Sequence, residues 1–182
     1  MRNKYVIISG LAFSEETDLE KLNRYAKEGW LLESITGGFF YKLKKDKPQD
    51  IIYNLDYQRE ADEEYFNIFK EAGWNQVVSV GNYIHIFSAR AGTKPIYSDK
   101  ESEIDKYTRI RDTTKKGSIY SLIIGLILIG MSTISLITIK PVFVLLEGLF
   151  LVDLIVFIFN FMPYIAYNKR INKIIKYDSN KK

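Results

Sequence analysis

The 182 residues include one histidine and no cysteine, so imidazole or thiolate chemistry has a single position open to it, His85. A zinc site built mainly from imidazoles cannot form within one chain, and disulfides are excluded. His85 lies in Tyr83-Ile84-His85-Ile86-Phe87. There strand alternation places Tyr83, His85 and Phe87 on one face. Asp56 and Asp62 flank a strand-to-helix connection, the ordinary place for capping carboxylates. Gly37-Gly38 could approach a phosphate, but no G-x-G-x-x-G or P-loop surrounds the pair. There is no nucleophile elbow and no H-E-x-x-H. An enzyme needs convergent groups in a shaped site. The expectation is therefore a non-enzymatic protein with no catalytic, cofactor-binding or metal-binding residue.

One carboxylate stands out by its surroundings. Asp153 lies inside the apolar run from Val142 to Ile165, near its middle, where charge is most expensive in a bilayer. A proton or ion relay would use it, and so would a contact between helices. Counting along two antiparallel spans puts it level with Gly130 to Thr133. Ser132 and Thr133 are then its expected hydrogen-bonding partners. Two helices alone cannot enclose an ion path, so helix contact is favoured.

The elements that carry these residues come in two copies. Gly29-Trp30-Leu31 and Gly73-Trp74-Asn75 open stretches that match at a constant offset. Trp30 aligns with Trp74, Gly37 with Gly81, Phe39 with Tyr83 and Leu43 with Phe87. Upstream, Leu11 falls on Leu55, Phe13 on Tyr57, Asp18 on Asp62, Leu22 on Phe66 and Tyr25 on Phe69. Each copy reads as a strand (YVIISGLAF or DIIYNLDY), a helix, then two strands around Gly37-Gly38 or Gly81-Asn82. Thr17 and Glu20 form a possible capping box, and Asp62 is the corresponding cap. Gly29 and Gly73 follow the helices as left-handed C-terminal residues. Arg2 and Lys4 before the first apolar run mimic a signal peptide. The run is short, and Glu15 and Glu16 follow it, so it is expected to be a strand. The fold class is α+β: two βαββ repeats forming an antiparallel sheet with two helices on one face. Trp30 and Trp74 are the expected domain-core aromatics.

Residues 1–92 form this domain, and 93–117 a linker and juxtamembrane helix. Ser98 and Glu101 read as its capping box, and Ile104, Tyr107 and Ile110 as its narrow apolar stripe. No charge occurs from Ser118 to Ile139, close to the ~20 residues needed to cross a bilayer. Lys140-Pro141 turns the chain. Residues 118–165 are thus a transmembrane helical hairpin (118–139 and 142–165), with a basic tail at 166–182. Lys106, Arg109, Arg111, Lys115 and Lys116 precede it. Lys169, Arg170, Lys173, Lys176, Lys181 and Lys182 follow it. This asymmetry predicts a multi-pass plasma-membrane protein with both termini cytoplasmic. The net charge of +4 is modest and its excess flanks the spans, so nucleic acid is not an expected partner.

The stretch FSEETDLEKLNRYAKEGWLLESITGGFFYKLKKDKPQDIIYNLDYQ resembles a bacterial family of unknown function, DUF2812, over about Phe13 to Arg90. The likeness rests on the helices ending in Gly-Trp, the GGFFY-type hairpin and the Y-x-L-D-Y strand. The family has no assigned activity, so no catalytic residue is carried over. Similar proteins often stand beside small winged-helix regulators of the PadR type, which implies by analogy a regulated membrane or stress-response system. The expected partners are the lipid bilayer and a membrane or cytoplasmic protein, with the oligomeric state open. The expected function is that of a sensor or accessory component with a cytoplasmic ligand- or protein-binding domain. The alternative is an immunity or resistance protein acting through its hairpin or an exporter.

Overall fold

The computed structural model describes residues 2–138 and 140–179. Ile139, expected to close the first span, and the tail lysines Lys181 and Lys182 lie outside the described residues. The chain divides into two compact units, Met1–Lys106 and Tyr107–Lys182.

The first unit contains β1 (Asn3–Ile7), α1 (Leu11–Lys27), β2 (Trp30–Thr36), β3 (Phe40–Lys45), β4 (Ile51–Tyr57), α2 (Glu63–Glu71), β5 (Asn75–Val80) and β6 (Ile84–Arg90). It is α+β, with two βαββ units and antiparallel pairing throughout, as expected. In place of the single sheet expected, its hydrogen bonds divide it into two three-stranded sheets, one per repeat, ordered β1-β3-β2 and β4-β6-β5. The two hairpins turn on Gly37-Gly38 and Gly81-Asn82, all four at positive φ. That conformation matches the twist of the strands they join. Gly29 and Gly73 also have positive φ where their helices end.

The first halves of the repeats depart from the sequence alignment. Tyr5 faces Lys42 and Ile7 faces Phe40, while Leu55 faces Ile86 and Tyr57 faces Ile84. Tyr5 and Ile7 are thus the structural equivalents of Leu55 and Tyr57. Leu11 and Phe13, aligned with them by sequence, are helical. The first strand ends at Ile7 because Gly10, at φ 96°, turns the chain into α1. Thr17 lies inside this helix and caps nothing. Gly10 precedes the first turn, and the backbone leaves helical angles at Ser14. Asp62 does cap α2, accepting from the Tyr65 N–H at 2.9 Å.

The core is built on the faces that the register defines. In the second repeat Ile52, His85, Phe87 and Ala89 share one face. Trp74, Tyr65, Phe66 and Phe69 pack there, with the Phe69 and Phe87 rings stacked. On the opposite face Tyr53, Leu55, Tyr57 and Ile86 are buried. There α1 lies against β4 as well as against β2, so one helix serves both sheets. The Asn23 side chain accepts from the Tyr53 N–H, and the Tyr53 hydroxyl accepts from the Leu32 N–H. Buried backbone groups are thereby satisfied where the repeats meet.

The two tryptophans differ. Trp74 is buried and donates its indole N–H to the Lys94 carbonyl. Trp30 is only partly buried, with the ammonium groups of Lys4 and Lys45 over its ring. It is a half-covered aromatic under two cations, and not the closed core residue its counterpart is.

α3 (Lys100–Thr138) opens on Asp99, which accepts from the Ser102 N–H at 2.8 Å; the expected cap, Ser98, lies one residue earlier. These bonds hold the Asp99 carboxyl below its ordinary range. Its contribution is present at neutral pH and is lost as pH falls through that depressed value. α4 (Lys140–Ser179) follows, with Pro141 in its first turn, where a missing N–H is tolerated. The linker and juxtamembrane segment expected at 93–117 is thus divided: its second half is continuous with the first apolar helix as one element.

In the second unit α3 and α4 run antiparallel. α3 buries Thr114, Ser118, Ser121, Gly125, Ser132 and Ser135, at alternating spacings of four and three that Leu128 completes. α4 faces them with Leu146, Phe150, Asp153, Phe157, Asn160, Tyr164 and Tyr167 at the matching spacing. This is the seam of an antiparallel coiled coil, small residues on one helix against large ones on the other. Both helices are long and apolar enough to cross a membrane.

The two helix-end glycines differ in their surroundings. A Cβ on Gly29 would lie 2.5 Å from the Asp46 carbonyl oxygen, whereas one on Gly73 would meet only Thr93 Cγ2 at 3.4 Å. Gly73→Ala should cost about 1–2 kcal/mol, the left-handed penalty alone. Gly29→Ala should cost clearly more. Thermal unfolding of the detergent-solubilised protein checks the order, and equal losses would contradict it.

Candidate functional site

The first unit holds a charged cluster that the sequence analysis did not single out. Glu15, at the break in α1, and Lys106, in the second turn of α3, are both buried and joined at 2.5 Å. Tyr57, at the end of β4, donates its hydroxyl to the other Glu15 oxygen. The Lys106 ammonium also lies over the rings of Tyr57 and Tyr97. Asp18, one turn along α1, is fully buried and accepts from the Ser9 N–H and from Lys21. Tyr41 on β3 lies near both carboxylates. Burial first, then the charges of Asp18 and Glu15, push its hydroxyl well above the usual tyrosine range. Among the described residues that hydroxyl has no hydrogen-bond partner.

A second polar row crosses the β4-β6-β5 sheet. Asp56, His85 and Ser79 sit opposite one another on three neighbouring strands. His85 is fully buried, with Tyr65 and Phe66 against its ring. Its Nε2 meets the Gln58 carbonyl at 2.8 Å. A carbonyl only accepts, so Nε2 carries a proton, and Nδ1 shares a hydrogen bond with the Ser79 hydroxyl at 2.7 Å. Gln76 donates to the same serine oxygen. Asp56 accepts from its neighbour's N–H (Tyr57) and from the Tyr65 hydroxyl, so it orients the helix-borne tyrosine and not the imidazole. Ser79 and His85 come together as a hydrogen-bonded pair whose remaining valences are taken by Gln58 and Gln76. Among the described residues no group of three metal-ligating side chains converges.

In the second unit Asp153 and Asn160 of α4 point into the seam. Asp153 accepts from the Ser121 hydroxyl at 2.7 Å. Ser132, expected to meet Asp153, donates instead to Glu147, and Thr133 bonds back to the Gly130 carbonyl. The register is mirrored about the junction of the helices, not about the midpoints of two apolar runs of unequal length. Asp153 of α4 therefore comes to Gly125, just as far from the junction on α3, with Ser121 one turn further along. Asn160 follows the same rule and comes to Gly117. A Cβ on Gly125 would lie 2.9 Å from Asp153 Oδ2. Glycine thus stands where the facing helix presents a polar side chain. The signal for this was in the sequence, as small residues at coiled-coil spacing from Thr114 to Ser135.

With this geometry established, the comparisons with known proteins place the chain. The family model described as protein of unknown function DUF2812 matches residues 14–119, more than half of the chain, which therefore belongs to that family. The match extends beyond the repeats into α3 and includes Lys106. Among curated proteins and among solved structures, no match is found.

Removing one member of a buried pair leaves the other's charge without that partner, while replacing both with apolar groups can be neutral. Lys106→Met and Glu15→Gln should each destabilise the protein by about 3–5 kcal/mol. The double variant Lys106→Met/Glu15→Met should recover most of that loss. Unfolding of the three variants by heat in detergent measures it. Additive losses would show that the two side chains act separately.

Proposed function

We propose that this is a membrane-anchored, non-enzymatic protein whose duplicated domain binds a ligand or protein on the cytoplasmic side. In this role it serves as a sensor or accessory component of a regulated membrane system. The observation that carries the proposal is the place of Lys106. This lysine is buried in the first unit, yet it belongs to the helix that continues into the first apolar segment. Any rearrangement of α1 or β4 on binding would be felt by the Glu15–Lys106 pair, and so at the start of α3. A folded domain joined to a span by one unbroken helix suits transmission better than a loose tether would.

The alternative, protection exerted through the hairpin itself, finds less support. The polar side chains Asp153 and Asn160 are taken up between the two helices, opposite Ser121 and Gly117. Groups used to hold a hairpin together are less free to guide a solute. Basic residues flank both apolar segments, which favours cytoplasmic termini.

Reporter fusions at Met1 and Lys182 should both read cytoplasm, and one at Lys140 should read the outside. A cytoplasmic result at Lys140 would sink the hairpin topology. Within the spans, Asp153→Asn should be nearly silent, because an amide still accepts from Ser121. Asp153→Leu should weaken helix pairing by about 1–2 kcal/mol. Cross-linking between cysteines placed on α3 and α4 measures the pairing. Equal damage from both substitutions would indicate a titrating carboxylate.

A further inference from the structure

The outer face of the first sheet carries an unused surface. Register puts Tyr5, Ile7, Phe40, Lys42 and Lys44 on one face, and Phe39 lies at the hairpin tip beside it. Ile7 is 62% exposed, Phe39 59%, Tyr5 57% and Phe40 40%. The equivalent face of the second sheet is dry, with Leu55, Tyr57 and Ile86 at most 1% exposed. The same architecture therefore covers this face in one repeat and leaves it apolar and bare in the other. Isolated exposed apolar residues are normal, but a contiguous group marks an interaction surface.

Its composition is ordered along the strands. The tip end holds Phe39, Phe40 and Ile7. Tyr5 stands next, facing Lys42, and Lys44 follows at about 13 Å from Phe40. β1 and β3 contain four lysines and no carboxylate. Glu33, at the bulge of β2, is the acid on this face, and it pairs with Lys42 at 2.6 Å. Apolar side chains, then a tyrosine, then ammonium groups is the sequence of environments met on leaving the acyl region for the phosphates. A bilayer is also within reach. Even fully extended, the chain from Lys106 to Ser118 spans no more than about 40 Å.

We propose that the tip of the β2–β3 hairpin and the adjoining face of β1 dock on an anionic lipid surface. Phe39, Phe40 and Ile7 enter the acyl boundary while Lys42 and Lys44 meet lipid phosphates. This inference rests on the membrane anchoring proposed above. Docking would hold the first repeat against the bilayer and leave the second repeat's surfaces for a soluble ligand.

The absence of cysteine allows a direct test on the full chain. Phe39→Cys and, as a control on α2, Lys70→Cys are each labelled with an environment-sensitive nitrobenzoxadiazole dye. They are reconstituted in phosphatidylcholine vesicles with and without phosphatidylglycerol. Resistance to carbonate extraction, read on the same samples, tests the anchoring separately. The expected result is a dye at Phe39 that brightens and is quenched by spin-labelled acyl chains in anionic vesicles. The effect should diminish in neutral vesicles, at high salt and in Lys42→Glu/Lys44→Glu, while the Lys70 dye reports water throughout. A carbonate-resistant protein whose Phe39 dye stays as wet as the control would overturn the docking and leave the anchoring intact. Protection of Phe39 that is independent of lipid charge and persists in detergent would overturn it in favour of a protein contact.

Discussion

The first unit of this protein depends on a charge taken out of water. Lys106 and Glu15 are buried against each other, and burying two such ions costs several kcal/mol apiece before their attraction is counted. The Tyr57 hydroxyl and two aromatic faces offset part of that cost. Each member of such a pair lowers the cost of burying the other. The first unit accordingly runs past β6 as far as Lys106. The chain returns through residues 91–99 and places the first turns of α3 against α1, and the extension of the family match past the repeats fits this extent.

α1 is the element on which this arrangement converges. It lies against β2 of its own repeat and β4 of the next, so its residues answer to two sheets at once. That double duty accounts for how far the two copies have diverged. Asp62 caps a short exposed helix, while its counterpart Asp18 is buried and serves Ser9 and Lys21. Tyr41 and its counterpart His85 both lie on sheet interiors. Among the described residues one has a hydroxyl without a hydrogen-bond partner, and the other has both nitrogens bonded. In the second unit the constraint is steric. Serine and glycine on α3 let the backbones approach, and the polar groups of α4 settle where glycine leaves space.

Much of this was legible in the sequence, where the local signals are strong. Turns that demand positive φ were marked by Gly37-Gly38 and Gly81-Asn82, and helix ends by Gly29 and Gly73. The apolar lengths of the last two helices were equally plain. The register of β1 was not, because YVIISGLAF holds enough apolar residues to pair in either of two ways. Only contact with β3 selects Asn3–Ile7. Trp30 and Trp74 occupy the same place in the repeat, and no local pattern distinguishes the half-covered ring from the closed one. The Glu15–Lys106 pair joins residues from opposite ends of the first unit, a long-range contact without a local signature. The partner of Asp153 was misplaced because the register of a hairpin is set at its turn, not by the midpoints of its arms.

The central claim is that the domain is incomplete without the start of α3. Two soluble fragments measure this directly, one ending at Pro95, after the repeats, and one ending at Asp112, after Lys106. Urea unfolding followed by tryptophan fluorescence reports on each through Trp74. The account predicts that the longer fragment unfolds cooperatively and that the shorter one is less stable by about 3–5 kcal/mol or fails to fold. Indistinguishable transitions for the two fragments would contradict it.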